Sequence, residues 1–560
     1  MNAKKELPIG IEDFKVLIDN NYYFVDKTNL LRELINNIGK VNLFTRPRRF
    51  GKTLTMSMIQ RFFEKTQEDN SYLFEGLSIF QDEKSMAYQG QYPVITLSLK
   101  GMKMNTFEEA IKQFGWMLSR EFDRHSGILS SDLLSDDDKA FFKRIKAWKG
   151  EIPDYCSAIQ FLSDKLYAFY GQKSIILIDE YDVPLENAYF RGFYDQMIGF
   201  IRSLFENALK TNSSLEFAVL TGCLRVSKES LFTGLNNLRI NSISTKGFSE
   251  YFGFTEPEVK ALTVYYDVPQ SFTTIKEWYD GYRFGRTEIY NPWSVLNFLQ
   301  DVRDDADALP TPYWSNTSSN SIIRQLITDS DDDVRDQVEE LVNGGCVHAR
   351  IFEDIVYADI DVNQESIWSF LMFTGYLKPI RAEQRGVFIY YDMVIPNLEV
   401  KSIYQGTILQ WFSDATRKTS RADLLKALLS QNVEQVNEIV GTWLNETISF
   451  YDEKEQYYHG FMAGLLSGFK GYKLVSNRES GNGRPDLILK QRNGTDIAIV
   501  IEIKAANPKK HETLEGKLKE AFEQIEKNNY AEELRNDGFQ TIIQYGVSFR
   551  EKQCMIGVAK

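Results

Sequence analysis

Three consecutive residues near the N-terminus could bind phosphate. Gly51, Lys52 and Thr53 follow the apolar run Val41 to Phe44 and a basic turn, and they open a predicted amphipathic helix. This order of strand, Gly-Lys-Thr and helix is the context that a P-loop requires. The helix N-terminus would hold a phosphate, Lys52 would reach the outer phosphates, and the Thr53 hydroxyl would be a Mg²⁺ ligand. The position of the usual first glycine is taken by Arg46.

A second apolar run ends in two carboxylates. Ser174 to Asp179 is predicted to be a buried strand, and Glu180 follows it. NTPases hold Mg²⁺ with an aspartate at the tip of such a strand, and the next carboxylate suits a general base that aligns the attacking water. The plainer alternative is a strand that ends in a solvated acidic turn. Together with Gly-Lys-Thr, the pattern predicts an ATP site with Mg²⁺ at Thr53 and Asp179.

Other residues extend the predicted nucleotide site. Thr221 ends a predicted strand, Leu215 to Gly222, where it could sense the γ-phosphate or hold the lytic water. Arg225 is a candidate cation for the charge that develops on the phosphates, and the alternative is a surface arginine in a loop. The predicted nucleotide-binding residues beside Gly-Lys-Thr are Arg49, Phe50 and Leu54.

The C-terminal part carries a second group of candidate residues. Asp486 heads the predicted strand Pro485 to Leu489, and the next predicted strand contains Glu502 and Lys504. Residues two apart on a strand share a face, so Glu502 and Lys504 can converge with Asp486. Two carboxylates suit Mg²⁺, and a neighbouring lysine can assist hydrolysis of a phosphodiester. The alternative is an edge strand with cross-strand ion pairs.

Two further residues belong to the preceding predicted helix. His459 could contact phosphate, although a residue that faces the core is the plainer interpretation, and Glu455 could add a carboxylate.

Length and composition favour a large soluble protein. The 560 residues are enough for about three or four domains, and the net charge of −13 argues against a basic coat protein but not against a local basic groove. The four cysteines form no CxxC pair, which disfavours zinc and disulfide frameworks. No signal peptide and no long apolar run is present, so the sequence predicts a cytoplasmic protein without a membrane role.

The order of elements predicts an α/β fold. Strands that alternate with helices imply a parallel sheet, with its ligand at the carboxyl ends of the strands. From about Gly253 the pattern becomes helical up to Gly285 and again from Pro292, which suggests a lid, and helices followed by a hairpin near Val387 suggest a winged-helix-like module. The C-terminal pattern is αβββαβ, with a hairpin turn at 481–484, whereas the acidic segment Ser130 to Asp138 is predicted to be a loop. The predicted domains are 1–250 (P-loop), 251–400 (helical lid and winged-helix-like region), 401–450 (helical connector) and 451–560 (nuclease-like).

These motifs together resemble a bacterial family that joins an AAA-ATPase-like domain to a C-terminal PD-(D/E)XK nuclease-superfamily domain. The resemblance covers nearly the whole chain, and it accounts for Arg46, since the family carries RPRRFGKT at its P-loop. It implies a nucleotide-dependent protein with a nuclease-type domain. The matching stretches are Phe24–Thr28, Ile178–Asp182, Thr221–Gly222, Arg225–Ser230, Trp278–Gly285, Tyr458–Gly460, Arg484–Asp486, Glu502–Lys504 and Gln524–Ile525.

The resulting hypothesis is a Mg²⁺-dependent nuclease regulated by ATP, with nucleic acid as partner and DNA preferred over RNA. Glu180, Asp486, Glu502 and Lys504 are the predicted catalytic residues. A homo-oligomer is one expectation, through arginine fingers, but Arg225 acting within one chain is the other. The alternative function is a signalling or scaffold ATPase whose C-terminal domain binds nucleic acid or protein without cutting. The intact set of Asp486, Glu502 and Lys504 favours cutting.

Overall fold

The computed structural model describes residues 4–37, 39–225, 238–316, 332–353, 364–415, 421–447, 455–467, 469, 471–476, 485–492, 496–528 and 530–559. The chain divides into two compact units. The N-terminal unit comprises Met1–Ile323 and Asn343–Lys401, and the C-terminal unit comprises Arg324–Val342 and Ser402–Lys560. Within the described part, no helix is both long enough and apolar enough to cross a bilayer.

A five-stranded parallel sheet forms the centre of the N-terminal unit. Its strands are β1 (Val41–Thr45), β2 (Val94–Ser98), β3 (Ser174–Asp179), β4 (Leu215–Gly222) and β5 (Leu238–Asn241), in the order β2-β3-β4-β1-β5. Every residue of β1 and β3 is buried, because helices cover both faces of a parallel sheet. The parallel α/β expectation is therefore confirmed, and β5, which the sequence analysis did not predict, adds an edge strand.

Helices occupy the connections of this sheet. One expectation is wrong: the acidic segment Ser130 to Asp138 is not a loop throughout, since a helix begins at Asp136. Ser135 caps that helix and forms a capping box with Asp138, which explains the run of acidic residues in its first turn. The helices up to β5 are Phe14–Asp19, Asn29–Asn36, Lys52–Phe63, Glu83–Met86, Phe107–Arg124, Asp136–Lys146, Ile152–Tyr170, Val183–Arg191 and Tyr194–Phe205.

The region after β5 mixes helices with two small sheets. The expected helix up to Gly285 is wrong at its end, because β6 (Tyr282–Phe284) and β7 (Thr287–Ile289) form a hairpin beyond Tyr279. The second sheet has the order β8-β10-β9, all antiparallel. Its strands are β8 (Val347–Arg350), β9 (Lys378–Arg385) and β10 (Phe388–Val394), and the helices of the region are Glu256–Tyr265, Phe272–Tyr279, Pro292–Asp304, Gln364–Phe373 and the start of Leu398–Ala415.

The aromatic segments of this region fill its core. Trp314 and Trp368 are buried, and the ring of Trp314 lies 4.6 Å from that of Tyr376. This packing agrees with the interpretation that such residues fill a core more often than they stack on bases.

The C-terminal unit contains a second five-stranded sheet, ordered β11-β12-β13-β14-β15. Its strands are β11 (Tyr472–Ser476), β12 (Leu487–Gln491), β13 (Ile497–Ala505), β14 (Thr541–Arg550) and β15 (Gln553–Val558), with β13 and β14 parallel and the other pairs antiparallel. The strand β15 extends the predicted αβββαβ pattern, whereas the turn expected at 481–484 lies outside the described residues. The helices of this unit are Asp332–Val342, Arg421–Leu429, Val433–Thr447, Glu455–Leu466, Leu514–Asn528 and Tyr530–Asn536, with the rest of Leu398–Ala415.

Candidate nucleotide and nuclease sites

The loop between β1 and the helix Lys52–Phe63 has the backbone of a phosphate-binding loop. Gly51 has φ +79° and is the N-cap of that helix, so the first N–H groups of the helix lie directly behind the loop. Arg49 also has a positive φ, +68°, which is unusual for a residue with a Cβ atom. The loop therefore turns sharply twice before the helix begins.

Arg46, which replaces the usual glycine, is a structural residue. Its guanidinium is fully buried and donates to the carbonyl oxygens of Thr45 (2.8 Å), Asn241 (2.7 Å) and Phe248 (3.2 Å). The rings of two phenylalanines flank it, with their centroids 5.2 and 5.0 Å from the guanidinium carbon. Burial lowers the pKa of Arg46 to about 9, so the group stays charged at neutral pH. The arginine thus ties the loop to β5 and to the segment that follows β5.

Four predicted residues meet at the carboxyl ends of β1, β3 and β4. The Thr53 hydroxyl donates to Asp179 Oδ2 at 2.8 Å, and the Thr221 hydroxyl donates to Asp179 Oδ1. Lys52 is buried, and its Nζ donates to the carbonyl oxygens of Arg46 (3.0 Å) and Pro47 (2.9 Å).

The two carboxylates after β3 differ in their surroundings. Burial raises the pKa of Asp179, and the hydrogen bond from Thr221 opposes that rise. Glu180 has φ +53° and lines the cavity beside the loop, while its backbone N–H donates to Thr221 Oγ1 at 3.3 Å. Glu180 therefore borders the cavity next to the loop that precedes the helix Lys52–Phe63.

A cavity joins this loop to apolar side chains from two other segments. Tyr23, Phe24 and Val25 line it, and so do Phe254 and Trp293 from the region after β5. Tyr23 also packs on Tyr265, with ring centroids 4.6 Å apart. The segment around Tyr23 therefore packs against the helix that ends at Tyr265 and also lines the cavity. The predicted residues that line the cavity are Arg49, Phe50, Gly51, Lys52, Thr53, Leu54 and Glu180.

Arg225 follows β4, and its predicted role stays a prediction. Arg225 is half-buried and is not among the described residues that line the cavity, and the matching stretch that follows it, Val226–Ser230, lies outside the described residues.

Asp182 is a residue that the sequence analysis did not assign. It accepts hydrogen bonds from the N–H groups of Cys223 (2.7 Å) and Leu224 (2.9 Å), and burial raises its pKa to about 6. Its position in the sequence Asp-Glu-Tyr-Asp, shortly after the first two carboxylates, was the signal that could have identified it as a site residue.

Asp486, Glu502 and Lys504 converge at the junction of β12 and β13. Asp486 Oδ2 accepts a hydrogen bond from the backbone N–H of Ile503 at 2.7 Å, between the other two residues. Lys504 Nζ lies 3.0 Å from Glu502 Oε1, and both side chains are buried. The predicted carboxylates and lysine thus form one cluster on the strand face that alternation indicated.

Two neighbours extend this cluster. His459 is buried and its Nε2 lies 3.1 Å from the backbone oxygen of Asp486, so its contact is with the main chain. Tyr530 was not predicted. Burial raises the pKa of its hydroxyl, and the nearby carboxylates of Glu502 and Asp486 add to the rise. The side chain of Glu455 lies outside the described residues.

Both sites offer oxygen donors suited to Mg²⁺. In the part of the chain that the structure describes, no group of three or more His, Cys, Asp or Glu side chains could hold a metal. In proteins, Mg²⁺ usually binds one or two carboxylates and keeps several waters. Thr53 with Asp179, and Asp486 with Glu502, are the pairs that could hold it.

Comparison with known proteins identifies both domains. Residues 8–232 match the model of a family described as predicted AAA-ATPase, and residues 453–559 match the PD-(D/E)XK nuclease superfamily. These matches confirm the resemblance drawn from the motifs.

Two individual proteins are similar to this chain. An uncharacterized protein encoded in the vnfD 5′ region of Azotobacter chroococcum mcd 1 is 26% identical over 433 residues, which are 77% of this chain and 75% of the relative. The second protein is known from a crystal structure. It is a signal transduction ATPase with numerous domains (STAND) and a tetratricopeptide repeat sensor, from Pyrococcus horikoshii. Its sequence is 14% identical to this chain, and the TM-score of the two structures is 0.26. The match covers 79% of this chain, and this chain spans about half (52%) of the length of that protein's chain.

Proposed function

We propose that this chain, which joins an AAA-ATPase-like domain to a PD-(D/E)XK nuclease-superfamily domain, is a Mg²⁺-dependent nuclease that ATP gates. The N-terminal domain binds and hydrolyses ATP, and the C-terminal domain cleaves phosphodiester bonds in nucleic acid, with DNA preferred over RNA. A homo-oligomer is compatible with this function.

The nucleotide part of the proposal is supported by the hydrogen bonds around Asp179. Thr53 and Asp179 would hold Mg²⁺, which when bound neutralises charge on the phosphates. Lys52, now donating to two loop carbonyls, would turn to the outer phosphates. Glu180 would orient the attacking water and accept its proton, and Thr221 would hold the Asp179 carboxylate in place.

One observation carries the nuclease part: the Asp486 carboxylate is hydrogen-bonded to the backbone N–H that lies between Glu502 and Lys504. This bond fixes one carboxylate beside the other and beside a buried lysine. Asp486 and Glu502 would hold Mg²⁺, which when bound activates water and polarises the phosphate. Lys504 would orient the water and stabilise the charge that develops on the phosphate oxygens.

The testing experiment measures cleavage of plasmid DNA, linear DNA and RNA in the presence of Mg²⁺, with and without ATP. The full chain is compared with Asp486→Ala and with Asp537→Ala, an exposed aspartate of the same domain. We expect Asp486→Ala to abolish cleavage and to leave ATP turnover unchanged, whereas Asp537→Ala retains both activities.

Two results would contradict the proposal. Cleavage that persists in Asp486→Ala would move the active site elsewhere. ATP hydrolysis without cleavage of any substrate would favour a signalling or scaffold ATPase, and salt-sensitive DNA binding without products would support that alternative.

A further inference from the structure

The hairpin of β9 and β10 has an exposed apolar tip. Gly386 and Val387 join the two strands, and the Val387 side chain is 85% exposed. Phe388 and Ile389, the next two residues, are 42% and 45% exposed. Toward the other end of the hairpin, Met393 is fully buried. The hairpin is therefore anchored at its base, and both faces of its tip reach solvent.

One face of this sheet carries arginines among aromatic rings. The register pairs Phe388 with Arg385 and Tyr390 with Arg350, so these side chains share a face. The Arg350 guanidinium lies 3.5 Å from the ring centroid of Phe388, and that of Arg385 lies 5.2 Å from Tyr390. Arg381, opposite Asp392, is on the same face and is exposed.

The carboxylates of this face do not neutralise all of its arginines. Glu383 pairs with Arg385 at 2.8 Å, and Asp392 lies 2.6 Å from His348 Nδ1. Among the described residues, Arg350 and Arg381 have no carboxylate within ion-pair distance. On a chain of net charge −13, the hairpin face is thus locally cationic. Guanidinium groups bind phosphate through paired hydrogen bonds.

The helix that precedes the hairpin is not available for binding. In the helix Gln364–Phe373, Trp368, Ser369 and Leu371 are all buried inside the N-terminal unit. Every residue of the range 366–373 is buried, so this part of the helix has no free face that could enter a DNA groove as the reading helix of a winged-helix module would. The hairpin is an exposed part of this region that combines cations with apolar groups.

We propose that the hairpin of residues 378–394 binds duplex DNA, with Val387 and Phe388 as an apolar wedge in the minor groove and Arg381, Arg385 and Arg350 on phosphates. Proteins that bind the minor groove combine arginine with apolar wedges in this way. The minor groove of duplex RNA is wide and shallow, so it offers such a wedge little contact. The inference deepens the proposed function by giving its substrate a second contact, and it rests on that function for the choice of nucleic acid.

The test measures binding of a fluorescent 30-base-pair DNA by anisotropy, using full-length Asp486→Asn as the parent so that the probe stays intact. In that parent, Arg381→Gln with Arg385→Gln is expected to weaken binding about tenfold and to lower the salt slope by about 2, at about 0.9 per phosphate contact. Val387→Ser with Phe388→Ser is expected to weaken binding at least threefold without changing the salt slope.

Matched controls remove the same groups elsewhere. Lys112→Gln with Arg120→Gln removes two exposed cations from a helix, and Val264→Ser removes a valine that is 63% exposed. We expect both controls to bind like the parent. Circular dichroism spectra identical to that of the parent establish that the hairpin variants are folded.

Three outcomes would overturn the inference: unchanged DNA binding in both hairpin variants, stronger competition by RNA of the same length than by DNA, or a change in molar mass by sedimentation with DNA binding unchanged. The last would identify the hairpin as an interface between two copies of the chain. Hairpin-dependent binding by a protein that cuts no substrate would support this inference while defeating the nuclease function, so the two failures are distinguishable.

Discussion

At the scale of residues, the P-loop lysine is held by its own loop. Lys52 Nζ donates to the carbonyl oxygens of Arg46 and Pro47, and the side chain is buried. Neutral carbonyl oxygens are weaker partners for an ammonium group than a phosphate is, because a phosphate adds the attraction of an opposite charge to the hydrogen bond. A bound nucleotide would therefore draw Lys52 away from these carbonyls.

Lys52→Ala is expected to weaken binding of a fluorescent ATP analogue by at least about 100-fold, which corresponds to about 3 kcal/mol of charge-assisted hydrogen bonding. Lys112→Ala, on the exposed face of a helix, should bind like the unmodified chain. Equal affinities for Lys52→Ala and the unmodified protein would remove the P-loop assignment.

Glu399 gives a second prediction, which concerns pH. Its carboxylate is fully buried and accepts hydrogen bonds from the Ser294 hydroxyl and the backbone N–H of Trp314, each at 2.9 Å. Burial raises its pKa to about 7, and the two hydrogen bonds oppose the rise. The folded protein therefore binds this proton more tightly than the unfolded chain does, so stability falls as pH rises from about 4.5 to about 7.

Relative to Glu399→Gln, the unmodified chain should lose about 3 kcal/mol of unfolding free energy between pH 4.5 and pH 8, as glutamine stays neutral. Urea unfolding monitored by tryptophan fluorescence measures this difference. Glu108→Gln, at an exposed position, serves as the control and should run parallel to the unmodified chain. A parallel profile for Glu399→Gln as well would contradict the assignment.

At the scale of elements, the P-loop is positioned by the distant hairpin β6–β7. The ring of Phe50 lies 4.8 Å from that of Tyr282 and 5.3 Å from that of Phe284. The guanidinium of Arg46 lies 5.0 Å from the same Phe284 ring. These contacts give a physical reason for Arg46 and Phe50 in the sequence Arg-Pro-Arg-Arg-Phe-Gly-Lys-Thr, because both residues hold the loop against another element.

Gly281, which precedes β6, allows this hairpin to pack closely. It has φ +94°, and an added Cβ atom would lie 2.1 Å from the carbonyl oxygen of Pro396. Gly281→Ala should therefore cost about 3 kcal/mol or more through strain and overpacking, whereas Gly76→Ala should cost about 1 kcal/mol. Gly76 is the matched control, because its φ is +76° and nothing lies within 4 Å of the added atom. Similar urea midpoints for the two variants would contradict this account.

At the scale of the whole molecule, the prediction concerns coupling between the two activities. ATP is expected to change the cleavage rate of the unmodified chain and to have no effect on Lys52→Ala. Glu180→Gln should bind ATP but hydrolyse it slowly, so it is expected to retain the ATP effect and to separate binding from hydrolysis. Cleavage that responds to ATP equally in Lys52→Ala and the unmodified chain would defeat nucleotide gating.

Local patterns in the sequence determined much of both sites. The α/β class, the ends of β1, β3 and β4, and the clustering of Asp486 with Glu502 and Lys504 follow from alternation and from the position of polar residues at strand ends. The domain boundaries drawn from the sequence remain predictions, and the assigned roles of the site residues remain predictions too.

Only the tertiary structure decided which distant groups meet. Arg46 is buried by residues of other elements, and Asp182 bonds to the loop after β4. Trp293 approaches Arg49, with 4.3 Å from ring centroid to guanidinium carbon. The residues that meet in these contacts are 41 to 244 positions apart in sequence. The strand Tyr282–Phe284 likewise continued a helical pattern in sequence and became a hairpin by pairing with β7. Side-chain periodicity reports which face of an element is buried, but it carries no information about which element covers that face.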